Sequence, residues 1–197
     1  MNHRIRLMVL HATVACAALV AVLSAQEPKA SSPLTASRRM PDGKEWMTQN
    51  LSVTTVPSYC FDDAETKCRQ YGRLYTWEAA RQACQSMGRE WRLPTDEEWR
   101  RLANHYGGVS ADSADGGKAA YTALLQGGSS QFDARLGGGR TLDGQFARLE
   151  AHGFYWTASE NGPANAWMYN FGKGGLALHR QDGADRQMAL SVRCLKE

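Results

Sequence analysis

The sequence predicts an α+β domain in which two helices pack on a small, mostly antiparallel sheet with long loops between the elements. Three observations lead there. Two segments between residues 76 and 108 carry helical spacing with recognisable starts and stops. A glycine-rich stretch follows from 107 to 153, and the last third reads as short aromatic and β-branched strands separated by Gly, Asn and Asp turns. Helices before strands, in that order, argue against a βαβ repeat.

Composition narrows the function classes. Of the 197 residues, 43% are hydrophobic and 22% charged, which excludes disordered, collagen-like and coiled-coil chains. The formal charge of +3 is too small for an electrostatic nucleic-acid footprint, so no nucleic acid is expected as a partner.

The chain opens on a targeting signal. Arg4 and Arg6 precede an apolar stretch from Leu7 to Leu23, and Ser24 and Ala25 supply small residues before Gln26. Residues 1–25 are therefore expected to be a signal peptide cleaved near Ala25, with an uncleaved membrane anchor as the alternative. Cys16 is a poor lipidation site, because apolar sequence continues beyond it. Residues 26–40 mix Pro, Ser and charge without periodicity and read as a flexible linker. Residues 41–197 form one domain, expected to lack a transmembrane segment and to be extracytoplasmic: periplasmic, at the cell surface or secreted.

Within that domain, Asp42-Gly43 turns into a first strand through Trp46. Thr76 is placed to N-cap a helix whose Trp77, Ala80, Cys84 and Met87 share a face, and Gly88 stops it. The next helix is marked more strongly: Thr95 and Glu98 form a capping box, Asp96 and Glu97 suit the positive end of the dipole, and Trp99, Leu102, Ala103 and Tyr106 make the buried stripe. Residues 119–125 read as a short helix. Residues 132–136, 154–159, 166–171, 176–180 and 189–194 read as strands, with Asp143-Gly144 as a hairpin turn. Gly137 to Arg140 reads as a loop, since it lacks the strand-then-helix context of a phosphate loop.

After signal removal four cysteines remain, and an even count in an exported chain points to two disulfides. Three connectivities are open. The favoured one joins Cys60 to Cys68, pinning a local loop, and Cys84 to Cys194, tying an early helix to the last strand. A zinc site is disfavoured by the absence of any Cys-x-x-Cys pair.

In order and spacing, DGKEWMTQNL, the Cys-bounded acidic loop before GRLYTWEAA, RLPTDEEW, the Gly-Gly-x-Arg loop, YWTASE and SVRC resemble the Fibrobacter succinogenes major paralogous domain, from about Asp42 to Lys196. The resemblance implies a C-type-lectin-like fold in an exported bacterial protein and adds little chemistry. The RLPT helix start is also similar to that of the formylglycine-generating, sulfatase-modifying enzymes. Their reactive cysteine pair is missing here, and His105, His152 and His179 form no His-x-x-His cluster of the kind used by the iron-dependent sulfoxide synthases. No catalytic or cofactor-binding residue is carried over.

The 160–165 segment, from Glu160 to Asn165, resembles the Glu-Pro-Asn calcium and sugar motif of C-type lectins, but two inserted residues break the pattern and a turn between strands is the simpler reading. Calcium is the one cofactor this segment leaves open. Tyr155, Trp156, Trp167, Tyr169 and Phe171 crowd two neighbouring strands, whose alternate side chains face opposite sides. One face is core; rings exposed on the other would stack on sugars or seat a partner. Trp156, Glu160, Trp167 and Tyr169 are thus the candidate ligand-binding residues. The expected function is a non-enzymatic binding or surface module for a glycan or an envelope or surface protein. A structural envelope component, or a metal-dependent enzyme, is the alternative. Asn50-Leu51-Ser52 is a glycosylation sequon, relevant only in a eukaryotic secretory route.

Overall fold

The computed structural model describes residues 36–197. The expected signal peptide and most of the expected linker lie outside the described residues. The end of that linker does not behave as one: Ser37–Arg39 is strand β1, paired antiparallel with β2 (Glu45–Met47), and Met40 is buried in the core. The fold thus begins before residue 41. Strand β10 (Leu195–Lys196) takes the other side of β2, so the two ends of the domain share one three-stranded sheet.

The described chain is α+β with four helices, mostly antiparallel sheets and two disulfides. After β3 (Ser58–Tyr59) come a 3-10 turn at Phe61–Asp63 and helix α1 (Glu65–Tyr71). Then follow β4 (Leu74–Tyr75), which pairs with β3, α2 (Trp77–Ser86), α3 (Asp96–His105) and α4 (Lys118–Leu124). The last third forms a five-stranded sheet in the order β6-β5-β7-β8-β9. It comprises β5 (Gly137–Arg140), β6 (Phe146–Leu149), β7 (His152–Glu160), β8 (Asn165–Gly172) and β9 (Ala177–Asp185), with β5 and β7 as its parallel pair.

Helix α3 starts as its sequence dictates. Thr95 Oγ1 accepts the Glu98 N–H at 3.2 Å and the Glu98 carboxylate accepts the Thr95 N–H at 2.8 Å. Thr76 occupies the N-cap position of α2, but its hydroxyl makes no capping hydrogen bond. There Trp77 anchors the turn instead, its indole N–H donating to Thr157 O at 2.8 Å.

The strand period of two sorts the aromatic residues onto both faces of the sheet, and both faces are core. Tyr155, Tyr169 and Phe171 pack with Trp99 of α3 and Tyr121 of α4; Trp156, Ala166 and Met168 pack with Trp77, Ala80 and Cys84 of α2. The sheet is therefore sandwiched between helices. Cys84–Cys194 ties α2 to the final segment, and Cys60–Cys68 closes the 3-10 turn against α1, which is the favoured pairing.

Three local expectations are corrected. Gly137–Arg140 is strand β5, not a loop, because its neighbours come too close for side chains: a Cβ on Gly138 would lie 2.5 Å from Ala147 O. Residues 132–136 are not a strand, since Asp133 has φ 54°, which breaks extension. Residues 189–194 make single bridges to Arg140, Tyr75 and Tyr155 in turn, and only the last two-residue piece that follows pairs as β10.

Candidate functional site

A trough runs along the ends of α1 and α4. Its larger section, about 610 Å³, is lined by Tyr71, Tyr121, Leu125 and Leu136 with Arg135, Glu150 and Lys173 among the polar groups. A smaller section of about 270 Å³ adjoins it through Gln70, Tyr71 and Arg135 and adds the exposed amide of Gln49, with Asn50 buried beneath it. The larger volume lies in the range of small-ligand pockets.

Local structure places each wall. Helix α1 ends at Gly72 with φ 79°, where its N–H caps Cys68 O; a Cβ there would lie 2.5 Å from the Asn50 Cβ, so only glycine lets α1 turn directly onto the 50–51 segment. That leaves Tyr71 facing the trough, its hydroxyl donating to the Glu150 carboxylate. Burial, and then the Glu150 bond, push the Tyr71 phenol up to about 12. Burial likewise raises Tyr121. At neutral pH both phenols are neutral hydrogen-bonding groups, unsuited to proton abstraction.

Beneath the trough lies a buried polar network that fixes its floor. Asn50 Nδ2 donates to Tyr71 O at 2.8 Å and Asn50 Oδ1 accepts from Arg193 Nε at 2.8 Å. The Tyr155 hydroxyl accepts the Arg135 N–H at 2.7 Å and lies 2.8 Å from Arg135 O. Arg193 is fully buried and donates also to the carbonyls of Met47, Phe132 and Asp133. Tyr71 and Arg135 are thus held by groups that cannot move without disturbing the core. Arg135 Nη1 completes the rim by donating to Gln70 O at 2.6 Å.

The residues proposed from the sequence do not form this trough. Trp156 is fully buried on the α2 side with its indole N–H on Tyr75 O at 2.8 Å, and Tyr169 is fully buried on the opposite side, stacked on Trp99 at 5.1 Å. Neither can meet a ligand, and their assignment as binding residues is corrected: strand alternation sends them to two different cores. Trp167 is half-buried, with the Arg180 guanidinium 3.5 Å above its ring and held there by Asp96. Glu160 is exposed, but Arg186 pairs with its carboxylate at 2.8 Å. Residues 161–164 are the turn between β7 and β8, with the Asn161 N–H on Asn165 O. Arg186 also lines a second groove of about 570 Å³ with Tyr59, Trp77, Arg140 and Leu142.

Asn50 does not present a glycosylation acceptor, since it is 6% exposed and committed to the network. Cys60, Glu65 and Cys68 lie close enough to suggest a metal, yet the two sulfurs are joined to each other. Tyr71, Arg135, Glu150 and Lys173 were missed in the sequence because they come from four separated segments with no common spacing. The one local signal, Tyr71-Gly72 at the end of the cysteine loop, marks the close turn but not the groove it opens.

The fold class and the motif order converge with the family comparison. Residues 40–196 match the Fibrobacter succinogenes major domain, and the chain belongs to that family. No curated protein and no solved structure matches the chain. Among the described residues, no helix is long and apolar enough to cross a membrane.

Proposed function

We propose that this chain is an exported, non-enzymatic binding module on a C-type-lectin-like scaffold, and that its trough takes a glycan. The observation that carries the reading is the trough itself: phenol and leucine surfaces at its base, and amide, guanidinium, ammonium and carboxylate groups around it. Apolar surface with a few fixed polar groups is the composition of a ligand pocket. Planar amide and guanidinium groups, with Tyr rings beside them, suit a ligand that carries hydroxyls on one side and C–H surface on the other. Two disulfides support an oxidising, extracytoplasmic compartment.

The test is binding of the purified protein to a broad glycan array, in calcium and again in chelator, beside the Arg135→Glu variant. Binding that survives chelation and is lost in the variant is expected. Binding lost on chelation would move the site to the Glu160–Asn165 turn, and no binding in either condition would turn the reading toward a structural envelope component.

A further inference from the structure

A second feature lies on β7, β8 and β9, on the sheet face that carries Phe154, Asn170 and Gly172. His152 pairs across the strands with Gly172, and His179 pairs with Asn170 from the other side. Both imidazoles are half-buried, and both are fixed. The His152 ring stacks parallel on Phe154 at 5.3 Å, and its Nδ1 lies 2.9 Å from Asn170 Oδ1; His179 Nδ1 lies 2.7 Å from Ser110 Oγ. An amide oxygen only accepts, so His152 Nδ1 carries the proton and the lone pair of the neutral ring sits on Nε2. A serine hydroxyl both donates and accepts, so the Ser110 contact is compatible with the His179 tautomer that has its lone pair on Nε2.

Gly172 stands between the rings. A Cβ there would lie 3.7 Å from His152 Cε1 and 3.7 Å from both Cδ2 and Nε2 of His179. The two imidazoles therefore approach one another over a residue that contributes no side chain.

We propose that His152 and His179 form a binding site for a divalent transition-metal ion, with zinc as the representative, and that Asn170 and Ser110 orient the two ligands. Neutral imidazole is the commonest protein ligand for such borderline ions, whereas calcium and magnesium prefer oxygen. Ligating histidines characteristically have their second ring nitrogen held by a hydrogen-bond partner, and both rings here already do. With two protein ligands, water completes the coordination. None of His152, His179, Asn170 and Ser110 lines the trough, so this inference does not rest on the glycan reading.

The experiment is a zinc titration of the purified protein by calorimetry in non-chelating buffer, with folding of every variant checked by thermal melting without metal. One saturable zinc per chain is expected, abolished in His152→Gln and in His179→Gln, weakened about tenfold or more in Asn170→Ala, and unchanged in His105→Gln. Gly172→Val keeps both ligands and fills the space between them, so it should also abolish uptake; it serves if a histidine variant fails to fold. No saturable zinc in the wild-type protein, uptake unaffected by either histidine substitution, or uptake lost with His105 would overturn the proposal.

Discussion

Arg193 Nε donates to the side-chain oxygen of Asn50 at 2.8 Å, joining the final segment of the chain to the loop after β2 inside the core. Both residues are buried, and the remaining acceptors of the guanidinium are neutral backbone carbonyls. Burial lowers the arginine to about 10, which leaves it charged at neutral pH. The arginine of the SVRC segment is thus an interior cross-link, and the same Asn50 that receives it holds Tyr71 at the trough.

Removing one partner of this network should cost more than removing a surface ion pair. Arg193→Met strands three carbonyls and leaves Asn50 Oδ1 with the Tyr155 hydroxyl, 3.0 Å away, as its remaining donor, and it should destabilise the domain by about 3 to 5 kcal/mol in urea unfolding. A loss below about 1 kcal/mol would show that water or rearrangement satisfies those oxygens.

Acid should weaken the start of α3. For Glu98, burial acts to raise the carboxyl, but the two Arg92 hydrogen bonds at 2.7 and 2.6 Å, the Thr95 N–H and the Arg92 charge outweigh it and hold the group at about 2, against an ordinary 4.5. A folded value below the unfolded one means stability that is present above pH 4.5 and lost as pH falls from there toward 2. The contribution is about 2 to 3 kcal/mol at neutral pH. Unfolding free energies measured across that window should show this loss in the wild type and a flatter profile in Glu98→Gln.

The two disulfides should differ in weight. Cys84–Cys194 closes a separation of 110 residues and Cys60–Cys68 one of 8. Loop-closure entropy assigns about 5 kcal/mol to the first and about 2.5 to the second. Paired serine substitutions compared by denaturant unfolding measure the difference; equal losses would mean that strain or residual structure dominates.

The aromatic residues divide in the same quantitative way. Trp156→Ala opens a cavity in a closed core and should cost about 3 to 5 kcal/mol. Trp167→Ala removes mainly the contact with Arg180 and should cost about 1 kcal/mol. Thermal melts of the two variants distinguish them.

What the sequence made legible follows from how local each signal is. The α3 capping box lies within four residues and could be read directly; so could the β7 and β8 alternation and, from the even cysteine count, the disulfides. Strand β5 was hidden because its glycines have low intrinsic strand preference and are there to admit Ala147 and Leu190 at close range. Helix α1 has Ala64 at its N-cap position, with no side-chain cap, and spans only Glu65–Tyr71, so it gave no boundary signal. The trough was illegible for a different reason. Arg135 belongs to a segment read as a strand, and it faces Tyr71 only because Tyr155, twenty residues further on, holds its backbone. Which of the sheet's aromatic rings were exposed could not be decided from alternation alone, because helices cover both faces.

The most direct test of the trough as the binding site is the affinity of the best array glycan for three variants: Arg135→Ala and Lys173→Ala at the trough, and Arg186→Ala at the second groove. Isothermal titration should show a loss of about tenfold or more for the first two and none for the third. Unchanged affinity at Arg135 and Lys173, with the loss at Arg186 instead, would place the ligand in the groove beside Trp77 and contradict the assignment.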